Sequence, residues 1–169
     1  MGAYTFTDES TVSVAPSRLF KALVIDFNNL VSKLIPDVES IENVEGDGGP
    51  GTIKKITFVE MFDIYIETQL MVSGPMKYLR HKIDVIDEQN LVTKYSLIEG
   101  DVLADKAESV DYDAKLEGSA NGGCTTVTVY HTKGDYVVTE EEHNVHKGRA
   151  NDIVKAIEAY LLANPSAYA

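Results

Sequence analysis

The residues best able to do chemistry cluster in Glu45-Gly46-Asp47-Gly48-Gly49-Pro50-Gly51-Thr52, with Lys54 and Lys55 just beyond. A glycine-rich turn beside a lysine can cradle phosphate through converging backbone N–H groups. That chemistry asks for Gly-Lys-Ser/Thr leading into a helix. Here Gly51 runs straight into Thr52, and the residues that follow read as a strand. Gly46, Gly48, Gly49 and Gly51 therefore read as a rigid turn needing positive φ, not as a nucleotide site. The histidines are His81, His131, His143 and His146. Only His143 and His146 lie close together, three apart on a helical segment, which is too little for a metal site. No metal or other cofactor is expected. Cys124 is the sole cysteine, so no intramolecular disulfide can form. It follows the turn Asn121-Gly122-Gly123 with no positive charge beside it, and reads as a buried structural thiol.

Several elements must position these groups. Residues 3–14 are rich in Thr, Val and aromatics and read as a strand. Pro16 suits the first turn of a helix, and Leu19, Phe20, Leu23 and Val24 form an apolar stripe at helical spacing. Asp26 or Asn28 can cap a second short helix carrying Leu30, Val31 and Leu34, and Pro36 ends it. A tight bend between the two makes a V. Strands are expected over Val38–Glu45, Thr52–Glu60, Lys77–Val85, Leu91–Glu99, Ser109–Leu116 and Cys124–Thr132, with turn-like separators between them. Thr139-Glu140-Glu141-Glu142 reads as a cap with a negative first turn, opening the one long helix. Asn164-Pro165 stops that helix, and Val145, Arg149, Ile153, Ile157 and Tyr160 or Leu161 share one of its faces.

Composition narrows the partners. The formal net charge is -12, which repels phosphate backbones, so nucleic acid is not an expected partner. The apolar runs are far too short to span a bilayer, so no membrane association is expected. Residues 1–6 show no charged stretch followed by an apolar one, and Phe6 stands where N-myristoylation wants Ser or Thr. These features and the single cysteine favour the cytoplasm.

A single long helix must cover one curved antiparallel sheet. Inward strand positions then include Phe58, Tyr95, Leu97, Val110 and Tyr112, with Thr93 among them. A dry, tightly packed core prefers Leu, Ile and Val, and a buried tyrosine hydroxyl needs a partner. Apolar walls with a few hydroxyls suit a ligand pocket. The same tyrosines would also fit the outer face of the sheet, and the sequence pattern leaves both arrangements open.

The chain resembles a known family. The stretch Glu45-Gly46-Asp47-Gly48-Gly49-Pro50-Gly51-Thr52-Ile53-Lys54-Lys55 carries its signature. Arg18-Leu19-Phe20-Lys21-Ala22, Lys94-Tyr95-Ser96-Leu97-Ile98-Glu99-Gly100-Asp101, Tyr130-His131-Thr132-Lys133-Gly134-Asp135 and Ile157-Glu158-Ala159-Tyr160-Leu161-Leu162-Ala163-Asn164-Pro165 support it. These segments resemble the class 10 pathogenesis-related proteins of the Bet v 1 family, nightshade-type members above all. The resemblance covers nearly the whole chain. It implies an α+β fold in one domain, 1–169: a seven-stranded curved antiparallel sheet wrapped around a long C-terminal helix, with two short helices. It also implies a cytoplasmic protein of defence and stress that binds small apolar ligands of flavonoid, cytokinin, abscisic acid or steroid type. The expected lining is Leu23, Val31 and Val38, then Ile56, Phe58, Leu79 and His81. It continues through Thr93, Tyr95, Leu97, Val110 and Tyr112 to Val145, Arg149 and Ile153 on the helix.

An enzyme is the alternative. The family's proposed ribonuclease activity maps onto Glu108, Glu158 and Tyr160, with Lys54 or Lys55. Paired carboxylates can act as acid and base, but the net charge works against an approaching polyanion. Norcoclaurine synthases in the family use a lysine and carboxylates inside the cavity, and no matching set stands here. The gate and latch strings of abscisic acid receptors are absent; the corresponding turn reads Ile98-Glu99-Gly100-Asp101-Val102. Two departures stand out. About a dozen residues, Met61–Val72, replace a short hairpin turn, and their strand-forming content allows a monomer or a dimer through this segment. Asn151, Asp152 and Val154 stand where bulkier apolar residues are usual, which would enlarge the cavity or loosen its helical lid.

Overall fold

The computed structural model describes residues 4–59, 77–100, 108–134 and 140–169. The segment 61–72 lies outside the described residues, as do the side chains of Val145, Arg149, His143 and His146. The element order is β1 (Tyr4–Val12), α1 (Pro16–Phe20), a π-helical turn (Lys21–Ile25), α2 (Phe27–Leu34), β2 (Val38–Glu45), β3 (Ile53–Phe58), β4 (Tyr78–Asp87), β5 (Val92–Gly100), β6 (Ser109–Gly118), β7 (Cys124–Lys133) and α3 (Glu140–Ala163). The strands form one antiparallel sheet in the order β1-β7-β6-β5-β4-β3-β2. Thus β1 and β2, consecutive along the chain, occupy opposite edges. The helical V between them must bridge both edges, and it can do so only if the sheet curls. Register shifts in β2–β3 and β4–β5 mark bulges, which sharpen strand twist and bend.

Pro16 opens α1 at its first position, where the missing N–H costs nothing. The link to α2 is one π-helical turn, not the tight bend expected. Asp26 flanks α2 without capping a backbone N–H; its carboxylate instead accepts from Asn29 Nδ2 at 2.7 Å. Asp26 also accepts from the Tyr168 hydroxyl, which ties the C-terminal residues to this bend. Arg18 secures the same corner. Its guanidinium donates to the carbonyls of Leu161, Asn164 and Ala167 at 2.9–3.2 Å. A fixed cation at carbonyls that have no further helical partner also suits the negative end of the α3 dipole.

The packed core is one cluster, most completely covered at this end and extending to Val38, Ile56, Leu79 and Leu97 on β2–β5. Leu19, Phe20, Ala22, Cys124, Ile157 and Leu161 have no exposed surface, and Val12, Val14, Val31 and Leu116 are nearly as covered. The α3 backbone runs close to β1, α1, α2 and the π turn, and makes no comparable approach to β4, β5 or β6 among the described residues. The helix is thus seated against β1 and the helical V.

The glycine loop is a self-contained turn. Gly46 and Gly48 have φ of 87° and 107°, and Gly51 has φ of 90°, whereas Gly49 needs no positive φ. A Cβ on Gly46 would lie 2.6 Å from Thr52 Oγ1 and 2.8 Å from its Cα. The loop also spends its own donors. Gly48 N–H donates to Thr52 Oγ1, Gly49 N–H to Asp47 Oδ1, and Gly51 N–H to the Ile83 carbonyl, at 2.7–3.1 Å. Those three N–H groups are committed inside the protein and do not converge on a phosphate.

Candidate ligand site on the inner sheet face

Alternation groups the side chains of each strand into two faces, and burial marks which face is covered. On β3, Lys54 and Ile56 are buried, as is Thr52 just before it, while Ile53, Lys55 and Thr57 alternate outward. Cross-strand register carries this face across the sheet. Lys54 pairs with His81, Tyr95 with Tyr112, and Tyr112 with Tyr130. The aromatic side chains touch in a continuous row. His81 lies 5.2 Å from Tyr95, Tyr95 stacks on Tyr112 at 4.6 Å, and Tyr112 meets Tyr130 edge-on at 5.0 Å between ring centroids. Offset and edge-on pairs at these distances suit the ring quadrupoles.

Depth shows in the ionisation of this row. Burial pushes the Tyr95 phenol up to about 12. Burial and the neighbouring phenols raise Tyr112 further, and Tyr130 is raised by burial, by Tyr95 and by the Asp8 carboxylate. Burial, then the Lys54 charge, lowers His81 from 6.5 to about 4, so it is neutral at physiological pH. Yet His81, Tyr95 and Tyr112 each keep partly accessible surface. The row is therefore deep without being fully covered. Lys54 also points inward, its ammonium 5.2 Å from the Phe27 ring centroid, and desolvation lowers it from 10.5 to about 8.

The other expected lining residues divide in two. Val31, Val38, Ile56, Leu79 and Leu97 are buried, so they act as packed wall. Leu23, Phe58, Val110 and Ile153 keep accessible surface as the aromatic row does. Thr93 is buried, and its hydroxyl donates to the Val85 carbonyl at 3.0 Å, beside the bulge in β4. Phe27, Lys54 and Tyr130 were missed by the sequence reading of this site. Tyr130 could have been found from the even-numbered run Cys124, Thr126, Thr128, Tyr130 and Thr132 on β7. At the Tyr130 end of the row a cleft of about 60 Å³ opens between β1, β7 and α3, lined also by Ser10, Thr126 and Asn151. It has room for water, far below the several hundred Å³ of a drug-sized pocket. Asn151 accepts there from the Ser10 hydroxyl at 2.9 Å, so this departure from the usual apolar residue has a partner.

The residues expected for ribonuclease chemistry do not converge. Glu158 accepts from the Ser13 N–H at 2.6 Å and from Lys155, whose ammonium also donates to the Thr11 carbonyl. It fastens α3 to the end of β1. Tyr160 lies under the Lys33 ammonium, 5.4 Å from its ring centroid. Lys55 stands on the outer face over Tyr78, and Glu108 is exposed at the start of β6, its N–H bonded to the Lys133 carbonyl.

Comparison with known proteins agrees with this geometry. The chain matches the sequence profile of the pathogenesis-related protein Bet v 1 family over residues 1–164. The chain belongs to the Bet v 1 family. It is 54% identical to pathogenesis-related protein STH-2 of Solanum tuberosum, with both chains fully covered. It is 45% identical to the major allergen Mal d 1 of Malus domestica, over 99% of each. Among solved structures, Ara h 8.0201 superposes with a TM-score of 0.79 at 41% identity, covering 96% of this chain and all of that one. Norcoclaurine synthase from Thalictrum flavum superposes with a TM-score of 0.70 over 95% of this chain and 87% of its own. At 21% identity that likeness shows the shared fold alone. As in these Bet v 1 relatives, the seven strands and three helices form one curved sheet with a C-terminal helix. No described helix is long and apolar enough to cross a membrane.

Proposed function

We propose that this Bet v 1 protein takes small apolar metabolites into the space between α3 and the inner sheet face, as a single ligand-binding domain. It carries or stores them in the cytoplasm during defence or stress. The observation that carries this reading is the set of deep rings, His81, Tyr95 and Tyr112, that retain accessible surface. Burying apolar ligand area there contributes about 25 cal/mol per Å². The phenol row supplies a few polar groups to orient a guest of flavonoid, cytokinin, abscisic acid or steroid type. A neutral solvatochromic dye such as Nile red is expected to brighten on binding one-to-one, and to be displaced by a flavonoid. A dye that stays dark with folded protein would contradict this function.

A further inference from the structure

The C-terminal residues are fastened to the junction inside the helical V. The π-helical turn Lys21–Ile25 is wound wider than the helices on either side, and its closing bond runs from the Asp26 N–H to the Lys21 carbonyl at 2.9 Å. Such turns are rare and recur where a helix has to bend. Asp26 stands at the change of pitch with φ of -106° and ψ of 25°, in a sparsely populated region of backbone space. Its carboxylate faces two ways. One oxygen accepts from Asn29 within α2, and the other accepts from the Tyr168 hydroxyl. Tyr168 has φ of 57°, a left-handed backbone that a bulky residue adopts only when its surroundings hold it there. Arg18 of α1 supplies part of that hold, donating to the carbonyl of the preceding Ala167 through both Nε and Nη2, at 3.1 and 2.9 Å. Packing supplies the rest, since Ala167 and Tyr168 both lie against the core cluster. One hydrogen-bonded set thus ties α1, the π turn and α2 to the residues beyond α3.

These elements cover the inner sheet face at this end, and Leu23 of the π turn and Phe27 of α2 are only partly buried. A guest reaching the aromatic row has to pass between elements that cover it. The seam between α3 and the V is held by Arg18, Asp26 and Tyr168, and the π turn beside it supplies a place to bend. We infer that the Tyr168–Asp26 bond is a clasp on this hinge, which sets how fast guests enter and leave without touching them. This inference rests on the ligand-binding function proposed above and adds a control on the same site. The clasp acts alike on the empty and the loaded protein, so its loss changes entry and exit by the same factor and leaves affinity constant.

The test follows Nile red fluorescence after rapid mixing over a series of protein concentrations, which yields association and dissociation rate constants separately. The wild type is compared with Tyr168→Phe, Asp26→Ala, the double variant and Leu116→Val. The last removes buried volume on β6, outside the clasp. Tyr168→Phe should raise both rate constants about tenfold, the effect of one hydrogen bond to a charged group, with Kd within about twofold. Asp26→Ala should do the same, and the double variant should be no faster than either single one. Leu116→Val should leave both rates unchanged. Wild-type rates in Tyr168→Phe and Asp26→Ala overturn the clasp. So does an equal acceleration in Leu116→Val, which would trace the effect to overall stability. A change in dissociation alone also overturns it, because that marks direct contact with the guest. Wild-type protein that leaves the dye dark removes the binding function itself, a result distinct from all of these, and this inference falls with it.

Discussion

Replacing Lys54 with methionine should stabilise the ligand-free protein by about 3 kcal/mol at pH 7. The cause is the lowering of the Lys54 ammonium from 10.5 to about 8 by desolvation. Below about pH 8 the lysine is protonated in both the folded and unfolded chain, so the full penalty of burying the charge is present. Between about pH 8 and 10.5 the unfolded chain still holds a proton that the folded chain has released. Stability of the wild type therefore rises with pH across that window, relative to the variant. Denaturant titrations of both proteins at pH 7 and pH 10 give the difference directly, because all other titrations largely cancel. The advantage of Lys54→Met should shrink over that range. A variant no more stable than the wild type, or a difference independent of pH, would show that the lysine is not buried unpaired. His81 adds an acid-side effect. Its lowering from 6.5 to about 4 means that stability falls as pH drops through that interval, when the unfolded chain takes up the proton first.

The second large effect separates the two ends of the interior. Phe20 is fully buried where α1 meets α3, and Phe20→Ala should cost about 3–5 kcal/mol. Tyr112 stacks on Tyr95 and meets Tyr130 edge-on but keeps some accessible surface, so it is less completely covered than Phe20. Tyr112→Ala therefore uncovers less buried surface, and a smaller loss of about 2 kcal/mol is expected. Equilibrium unfolding of the two variants checks the contrast. Equal losses would mean that the interior is packed evenly from end to end.

Much of this architecture was legible in the chain. Alternation along β3 sorted Thr52, Lys54, Ile56 and Phe58 onto one face, and Ile53, Lys55 and Thr57 onto the other. The turn residues between strands placed every described strand to within about two residues. Pro16 and the Asn164-Pro165 stop framed the helices. The site was less legible because residue type and strand face conflict there. A lysine ordinarily signals a solvated position, so Lys54 drew attention only as part of the glycine loop. Only its register with His81, and the burial of Ile56 beside it, reveal an inward cation. The π-helical turn Lys21–Ile25 had no composition cue, since its residues fit an ordinary helix equally well. The position of the tyrosines stayed open for a different reason. Period two assigns residues to a common face but does not say which face is inside, and that is decided by where α3 and the helical V come to rest.

The central claim is that the space beside Tyr95 and Tyr112 accepts a guest. Its most direct test is the ring-proton NMR spectrum of the protein, with individual aromatic signals assigned, during titration with a neutral flavonoid. The Tyr95 and Tyr112 resonances should move saturably at one equivalent while those of Phe20 stay in place. Unmoved tyrosines at saturating ligand, or shifts confined to exposed residues, would contradict it.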